Sequence, residues 1–185
     1  MTPPVRPASV LERVARQRKG IESLARRPAI VSQSFIGARI ENHVNQTIAH
    51  NTNTDRVFDT VVFDTDNMVD LVADNRKITI QTKGIYLVTG ATNYAPNATG
   101  RRICQIFVNG FYAAGTGTLI GNFSLPAVAD GSARTVSPAV AIYSFNVGDF
   151  ISGGTYQFSG GNLDEAGAAA LGSSYMACAL IGVQL

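Results

Sequence analysis

Several residue types and patterns are scarce in this 185-residue chain, and each shortage excludes a class of protein. Two cysteines, Cys104 and Cys178, are too few for a disulfide framework, and both lie in apolar runs, so we expect buried free thiols. The longest apolar run, residues 176–183, is far too short to cross a bilayer. No secretory leader is visible at the N-terminus, so we expect a protein that is made in a cytoplasm and has no membrane partner.

Charge is also scarce, at 15% of residues against 45% hydrophobic residues. This composition is typical of a packed domain that buries some apolar surface between subunits. The charge is unevenly distributed: residues 1–30 carry seven basic and two acidic side chains, whereas residues 31–185 carry eight basic and eleven acidic ones. The two parts, with net charges of +5 and −3, therefore face different surroundings.

The basic N-terminal part contains a helix signal. Pro-rich residues 1–8 precede a capping box formed by Ser9 and Glu12, and Pro28 ends the pattern. An apolar seam of about two heptads lies between them. It consists of Val10, Val14, Gln17, Ile21 and Leu24. Such a short helix needs neighbours, so we interpret residues 1–30 as an anchoring helix; a frayed tail and a phosphate-binding segment are the alternatives. No aromatic residue interleaves with the arginines, which disfavours nucleic acid as a partner.

The rest of the chain has the pattern of an all-β protein. Residues 31–56 are predicted to form a connector and a first strand, and residues 57–185 a body of antiparallel strands without crossover helices. Asn109-Gly110 indicates a tight hairpin, and residues 159–173 read as a flexible Gly/Ala loop. About eight to ten strands indicate a jelly-roll sandwich. After a strand at 35–40 they are predicted at 57–63, 77–82, 85–93, 102–109, 112–118, 135–145, 149–158 and 174–185.

Each candidate pattern of catalytic or metal-binding residues lacks a residue or a spacing that its chemistry requires. Residues 64–70 begin like a calcium loop, but Met68 and Val69 stand where an oxygen ligand and Gly are required, so a solvated turn is expected. His43 and His50 lack the spacing of a zinc motif and are interpreted as surface or hydrogen-bonded histidines. Asp164 and Glu165 are adjacent in the predicted loop, not placed on opposite sides of a substrate. We therefore predict no catalytic, cofactor or metal site, and no enzyme.

Spaced residues in the body follow the core pattern of a known domain. Asp66 is followed by Leu71 and Ile78, and then by Gly84 and Tyr86. In this pattern the chain resembles the globular head of the first complement component's recognition subunit, within the wider tumour-necrosis-factor-like jelly rolls. It departs from that family where Ile78 replaces an aromatic residue and where Thr60 replaces a Phe flanked here by Phe58 and Phe63. Three later matches agree with the resemblance: Val108-Asn109-Gly110, Phe145 with Gly148-Asp149, and the apolar strand 175–185.

The resemblance covers residues 36–185 and implies a homotrimer, in which Tyr156, Phe158 and Tyr175 would gain from a shared axis. There is no collagen stalk, and a basic helix followed by one such head is similar to virion proteins of tailed bacteriophages that infect Actinobacteria. This implies a tail-associated minor tail or fibre protein that contacts a host glycan or protein, with residues 1–30 bound to other virion proteins. A capsid decoration or head-fibre protein is the alternative; a carbohydrate depolymerase and a bacterial adhesion or signalling module are further ones.

Recognition would fall on loops held by the rigid body, in segments 94–101, 121–134 and 159–173. The candidate contact residues are Tyr94, Asn97, Arg101, Asn122, Asn162 and Asp164.

Overall fold

A computed structural model describes residues 35–130, 133–165 and 172–183 of the chain. The chain divides into two units, Met1–Ser34 and Phe35–Leu185, and every described residue belongs to the second. The predicted helix through Val10 and Leu24 lies outside the described residues. The described part forms twelve strands and no helix, so no helix in it is long and apolar enough to cross a membrane. The strands are β1 (Gly37–Asn42), β2 (Gln46–Ile48), β3 (Thr54–Asp55), β4 (Thr60–Asp64), β5 (Lys77–Thr79), β6 (Gly84–Tyr94), β7 (Arg101–Val108), β8 (Thr118–Pro126), β9 (Thr135–Phe145), β10 (Phe150–Gln157), β11 (Leu163–Glu165) and β12 (Ser174–Gly182).

The strands pair into two antiparallel sheets. The larger sheet has β6 at its centre, with β9 on one side and β12, β1 and β4 following in that order on the other. The short β11 pairs with the end of β6 and with β2. In the smaller sheet β10 pairs with β3, β5 and β7, and β8 pairs with β7. The all-β sandwich predicted from the sequence is thereby confirmed.

The core lies between the sheets because side chains alternate along each strand. From the larger sheet it receives residues such as Ile40, Tyr86 and Met176, and from the smaller sheet Ile106 and Ile151, all at most 1% exposed. Cys104 and Cys178 are buried and unpaired, as predicted, and burial raises the pKa of the Cys178 thiol to about 12. The thiols therefore stay neutral and act as small apolar side chains.

The residues that carry the family resemblance have structural roles here. Ile78 and Tyr86 are fully buried in the core, and the Tyr86 hydroxyl donates to the Thr82 carbonyl at 2.7 Å. Asp66 accepts a hydrogen bond from the Thr82 hydroxyl at 2.8 Å. Gly84 is required for close packing, since a Cβ there would lie 2.3 Å from Leu180 Cδ1. The residues of the family pattern thus lie around the start of β6, where they pack and hydrogen-bond.

The predicted strand at 112–118 is wrong. Residues 109–117 form a connecting loop, and the strand that pairs with β7 is β8, which begins at Thr118 and occupies part of the predicted loop 121–134. The prediction of a tight hairpin at Asn109-Gly110 is also wrong. A type I′ turn needs a positive φ at both residues, and of the two only Asn109 has one, of 56°. Gly110 instead packs against the backbone of Gly117. A Cβ atom at position 110 would lie 2.2 Å from the amide nitrogen of Gly117. This close approach of two glycines within one loop replaces the two-residue turn.

The loop predicted at 159–173 also contains a strand, β11, and its last residue forms a buried ion pair. Arg56 follows β3, and its Nε and Nη2 atoms donate to Glu165 Oε1 at 3.1 and 3.0 Å. Its Nη1 and Nη2 also donate to the carbonyls of Tyr175 and Ala91, at 3.0 and 2.8 Å. Burial acts to lower the pKa of Arg56, but the negative charge and the hydrogen bonds of Glu165 act against it, and the net shift of that pKa is upward. The pair thereby links the two sheets with both side chains at most 1% exposed.

We predict that Arg56→Met destabilises the fold by about 3–5 kcal/mol, because the Glu165 carboxylate would be buried without its cation. The double variant Arg56→Met/Glu165→Leu should recover most of the loss. As a control, Arg76→Met at the half-exposed Asp74 pair should change the free energy of unfolding by about 1 kcal/mol or less. Urea unfolding of the three variants measures these differences. An Arg56→Met variant as stable as the Arg76→Met control would contradict the structural role of the pair.

Candidate functional site

The outward surface of the larger sheet is unusually apolar. Along β9 the side chains alternate, and Val136, Val140 and Ile142 are 52%, 61% and 67% exposed. The register with β6 places Leu87 beside Ile142, and Thr89 beside Val140. The register with β12 continues the same rows with Ala179 and Ala177. We call the outward surface of this sheet, from β9 across β6 and β12 to the neighbouring β1, the outer sheet face.

No residue of β6, β9 or β12 is charged. This matters because strands that face water normally carry charged side chains, which keep sheets soluble and apart. At one end of the outer sheet face a small apolar depression of about 90 Å³ is lined by residues that include Phe35, Phe63 and Leu87. Phe35 is 57% exposed and its ring lies edge-on to that of Phe63, with centroids 5.6 Å apart. This half of the face has the chemistry of a protein interior.

The other half of the outer sheet face is polar but internally neutralised. Arg39 Nη2 lies 2.7 Å from Glu41 Oε1, and His43 Nε2 lies 2.9 Å from Glu41 Oε2. Burial opposes the ionisation of Glu41, but its hydrogen bonds with His43 and Arg39 outweigh burial, so the pKa of Glu41 lies below its ordinary value. The Arg39 guanidinium also lies 4.0 Å from the Tyr175 ring centroid. These residues line a recess of about 510 Å³.

Of the aromatic residues predicted to meet at a shared axis, Tyr175 belongs to the outer sheet face. Tyr156 belongs to β10 in the smaller sheet, and Phe158 follows that strand. The exposed residues of β9 were not predicted as a functional surface. The sequence does show that β9 carries apolar residues on both of its faces. Only the pairing of β9 with β6, and of β6 with β12, shows that the outward ones belong to one apolar surface.

The predicted recognition residues lie in several different environments. Tyr94 is fully buried, and its hydroxyl donates to the Ile103 carbonyl at 2.7 Å, so its interpretation as an accessible contact residue is wrong. Asn122 lies within β8, not in a loop. Asp164 is half-buried in β11, where it accepts a hydrogen bond from the Thr47 hydroxyl at 2.7 Å. Asn162 is exposed directly before β11.

Asn97 and Arg101 lie in and next to the loop that joins β6 to β7, and Arg102 holds this loop in place. Arg102 is fully buried, and its guanidinium donates to the carbonyls of Asn97, Thr99 and Arg101 at 2.9–3.0 Å. Burial lowers the pKa of Arg102. The neighbouring Arg101 is exposed, and its guanidinium lies 5.6 Å from the Tyr156 ring centroid. We call the segments 95–101 and 158–162 the loop end.

The two segments of the loop end are joined directly. The Phe158 amide donates to the Arg101 carbonyl at 3.0 Å, and β7 pairs with β10 up to Arg102 and Gln157. Gly100 has a φ of +76°, and a Cβ there would lie 1.4 Å from the Phe158 carbonyl oxygen. On the other side the His50 and Phe158 rings have centroids 4.6 Å apart, and His50 Nδ1 accepts the Gly160 amide at 3.0 Å. Arg101 and Phe158 are therefore held in a fixed arrangement.

The possible calcium loop is a turn built on one carboxylate. Asp64 accepts the amide hydrogens of Met68 and Val69 at 3.0 and 2.9 Å, which uses its oxygens inside the turn. Within residues 35–130, 133–165 and 172–183, no group of three His, Cys, Asp or Glu side chains is placed to hold a metal ion. Both histidines are hydrogen-bonded, as interpreted from the sequence.

Comparisons with known proteins identify the fold. No protein-family model matches the chain, and no curated protein matches its sequence. Among solved structures, murine APRIL at pH 5.0 is 10% identical, with a TM-score of 0.58 over 80% of this chain and 100% of that one. The Eiger TNF from S. frugiperda is 11% identical, with a TM-score of 0.56 over 82% and 95%. The globular domain of zebrafish complement 1qA is 12% identical, with a TM-score of 0.52 over 80% and 99%. The sandwich is thus a jelly roll like those of these proteins, and at such low identity the likeness shows the fold alone.

We predict that Gly100→Ala destabilises the protein by about 3 kcal/mol or more, since the new methyl group would strike the Phe158 carbonyl in addition to straining the backbone. Gly148→Ala is the matched control: its φ is +90°, but nothing lies within 4 Å of the new Cβ, so it should cost only about 1 kcal/mol. The difference is measured by urea unfolding. Equal losses for both variants would show that the loop end is not held as described.

Proposed function

We propose that this chain is a structural protein of a bacteriophage particle, a homotrimeric, tail-associated head domain that contacts the host surface. The observation that carries the proposal is the outer sheet face, where exposed apolar side chains of β9 adjoin half-buried apolar side chains of β6 and β12, and none of these three strands carries a charged residue. Large apolar patches of this kind are typical of surfaces that associate with protein.

A second copy of the chain suits this face better than an unrelated partner. Ile142 and Val140 lack charged neighbours on β6, so an interface formed there needs no compensating charge from a partner. The polar half is already neutralised, because Arg39 and His43 both contact Glu41. Repeated contacts between identical subunits close into a ring, and the resemblance of the body to trimeric heads makes three the expected number.

The N-terminal residues supply the proposed attachment to the particle. Residues 1–30 carry a net charge of +5 and the remainder −3, which favours docking of the N-terminal part on an acidic surface of other virion proteins. The helix through Val14 and Ile21 stays a prediction, because residues 1–34 lie outside the described residues. Three such segments on one trimer would bind with a higher effective concentration than one.

A binding role is favoured over catalysis by the distribution of polar groups. The described residues do not gather the metal ligands of a hydrolase. His43, which contacts both Glu41 and the Thr60 hydroxyl, is an exposed side chain on the outer sheet face, where the proposed trimer would cover it. We therefore propose that the protein is no enzyme and uses no cofactor.

A capsid decoration or head-fibre protein is the alternative role. The same trimer would then stand on the shell, and only the docking place of residues 1–30 would differ. Imaging of intact particles with a label at the C-terminus separates the two locations. Label at the tail supports the proposal, label spread over the shell supports the alternative, and unlabelled particles would contradict both.

We predict that Ile142→Asp weakens subunit association about a hundredfold or more, because the interface would bury an unpaired carboxylate. The matched control is Val72→Asp, which replaces a 99% exposed valine outside the sheets and should leave association unchanged. Light scattering over a dilution series measures both. If Ile142→Asp associates like the wild-type protein, the outer sheet face is not the interface.

We predict that Ile21→Asp or Leu24→Asp abolishes incorporation into particles and leaves the head folded, because each places a carboxylate on the predicted apolar seam. Quantitative analysis of purified particles measures incorporation, and circular dichroism of the purified variant tests the fold. A full complement of either variant in the particles would contradict the anchoring role of residues 1–30.

A further inference from the structure

The loop end contains a recess of about 330 Å³ lined by Gly100, Arg101 and Phe158. We propose that this recess binds a pyranose ring that carries a carboxylate, the unit of an acidic glycan. The volume lies at the small end of ligand sites, which measure about 300–1,000 Å³, and suits one sugar ring better than a longer ligand.

Phe158 provides the apolar side of the recess. Its side chain is 46% exposed, although it follows a strand whose other residues are mostly buried. An exposed aromatic face carries a negative partial charge and suits the C–H groups that cover one side of a pyranose. The contact with His50 and the hydrogen bond from the Phe158 amide to Arg101 fix the ring before any ligand arrives. This preorganisation lowers the entropic cost of binding a sugar.

Arg101 provides the group that selects a carboxylate. A guanidinium donates two parallel hydrogen bonds to a carboxylate, in a geometry that a neutral hydroxyl does not match. Across the described ranges no carboxylate oxygen forms a salt bridge with Arg101 or Arg102. The positive charge at the loop end is therefore available to a ligand.

The buried guanidinium of Arg102 strengthens the preference of the recess for a carboxylate. It is fully buried, its visible acceptors are backbone carbonyls and the Asn97 side chain, and its Nε has no hydrogen-bond partner among the described residues. A buried cation without a counter-ion raises the local potential, because charge is poorly screened in a protein interior. An anion at the neighbouring recess would offset that potential. The site thus combines one exposed and one buried cation with one aromatic platform.

The wider charge distribution disfavours a nucleic acid at this site. Residues 31–185 carry a net charge of −3, and among the described residues that line the recess Phe158 is the one aromatic ring, whereas nucleic-acid surfaces are basic stripes with several stacking residues. A small acidic sugar needs only the local charge of the two arginines. The inference deepens the proposed contact with the host surface, on which its biological meaning rests.

The test titrates the purified full chain with methyl glucuronide and, as the matched neutral ligand, methyl glucoside, and follows backbone amide shifts by NMR. We expect saturable shifts at residues 100–101 and 158–161 with the glucuronide and a dissociation constant about tenfold higher for the glucoside, since it lacks the charge-assisted hydrogen bonds. Arg101→Gln and Phe158→Ala should each raise the dissociation constant of the glucuronide about tenfold.

Arg76→Gln is the control variant, because Arg76 also lies over an aromatic ring, 4.0 Å from the Phe111 centroid, but near the opposite end of β10. It should bind the glucuronide like the wild-type protein. The proposal is overturned if no saturable shift occurs, if the glucoside binds as tightly as the glucuronide, or if the control loses as much affinity as Arg101→Gln. Shifts of the same amides by a thymidine oligonucleotide at lower concentrations would overturn it in favour of nucleic acid. Since the titration needs no particle, its failure would leave the virion role standing.

Discussion

A two-layer sandwich buries one face of each sheet, and every strand sends alternate side chains to the core and to the outside. In the larger sheet the inward residues, such as Tyr86 and Met176, are fully covered by the smaller sheet. Among the described residues no such layer covers the outward side chains, yet exposed valine and isoleucine side chains lie on β9, and β6, β9 and β12 contain no charge. We propose that the hydrophobic effect that forms the sandwich also acts on the outer sheet face, through burial of that face against further copies of the chain.

Two arginines, Arg56 and Arg102, are buried in the fold, and each is stabilised in a different way. Arg56 reaches Glu165 across the sheets, so that a charge inside the fold becomes a link between its layers. Among the described residues Arg102 has neutral acceptors only, and it uses them to hold the loop between β6 and β7. The first arrangement joins the layers, and the second fixes the loop end, where Arg101 and Phe158 line the recess. The proposed assembly surface and the proposed recognition site thereby lie on different parts of the described fold.

The sequence predicted those elements whose information is local. Short runs rich in apolar and β-branched residues predicted β9 with its observed bounds, and β6, β7 and β10 to within one residue at each end. The start of β12 was also predicted correctly. The prediction failed where distant residues decide the structure. The approach of Gly110 to Gly117 converted the predicted strand 112–118 into a loop, and pairing with β2 and the ion pair with Arg56 made a strand of Leu163–Glu165. Arg101 was recognisable as an exposed cation, but its position beside Phe158 depends on the pairing of β7 with β10 and is invisible in either segment alone.

We propose that copies of the same chain cover the outer sheet face. Sedimentation equilibrium of the full-length wild-type protein tests it most directly, because it gives the mass of the assembly without assuming a shape. If copies of the chain cover this face as a trimer, the protein is a single species with three times the 19.6 kDa mass of one chain, stable to dilution. A species with the mass of one chain at all concentrations would contradict it.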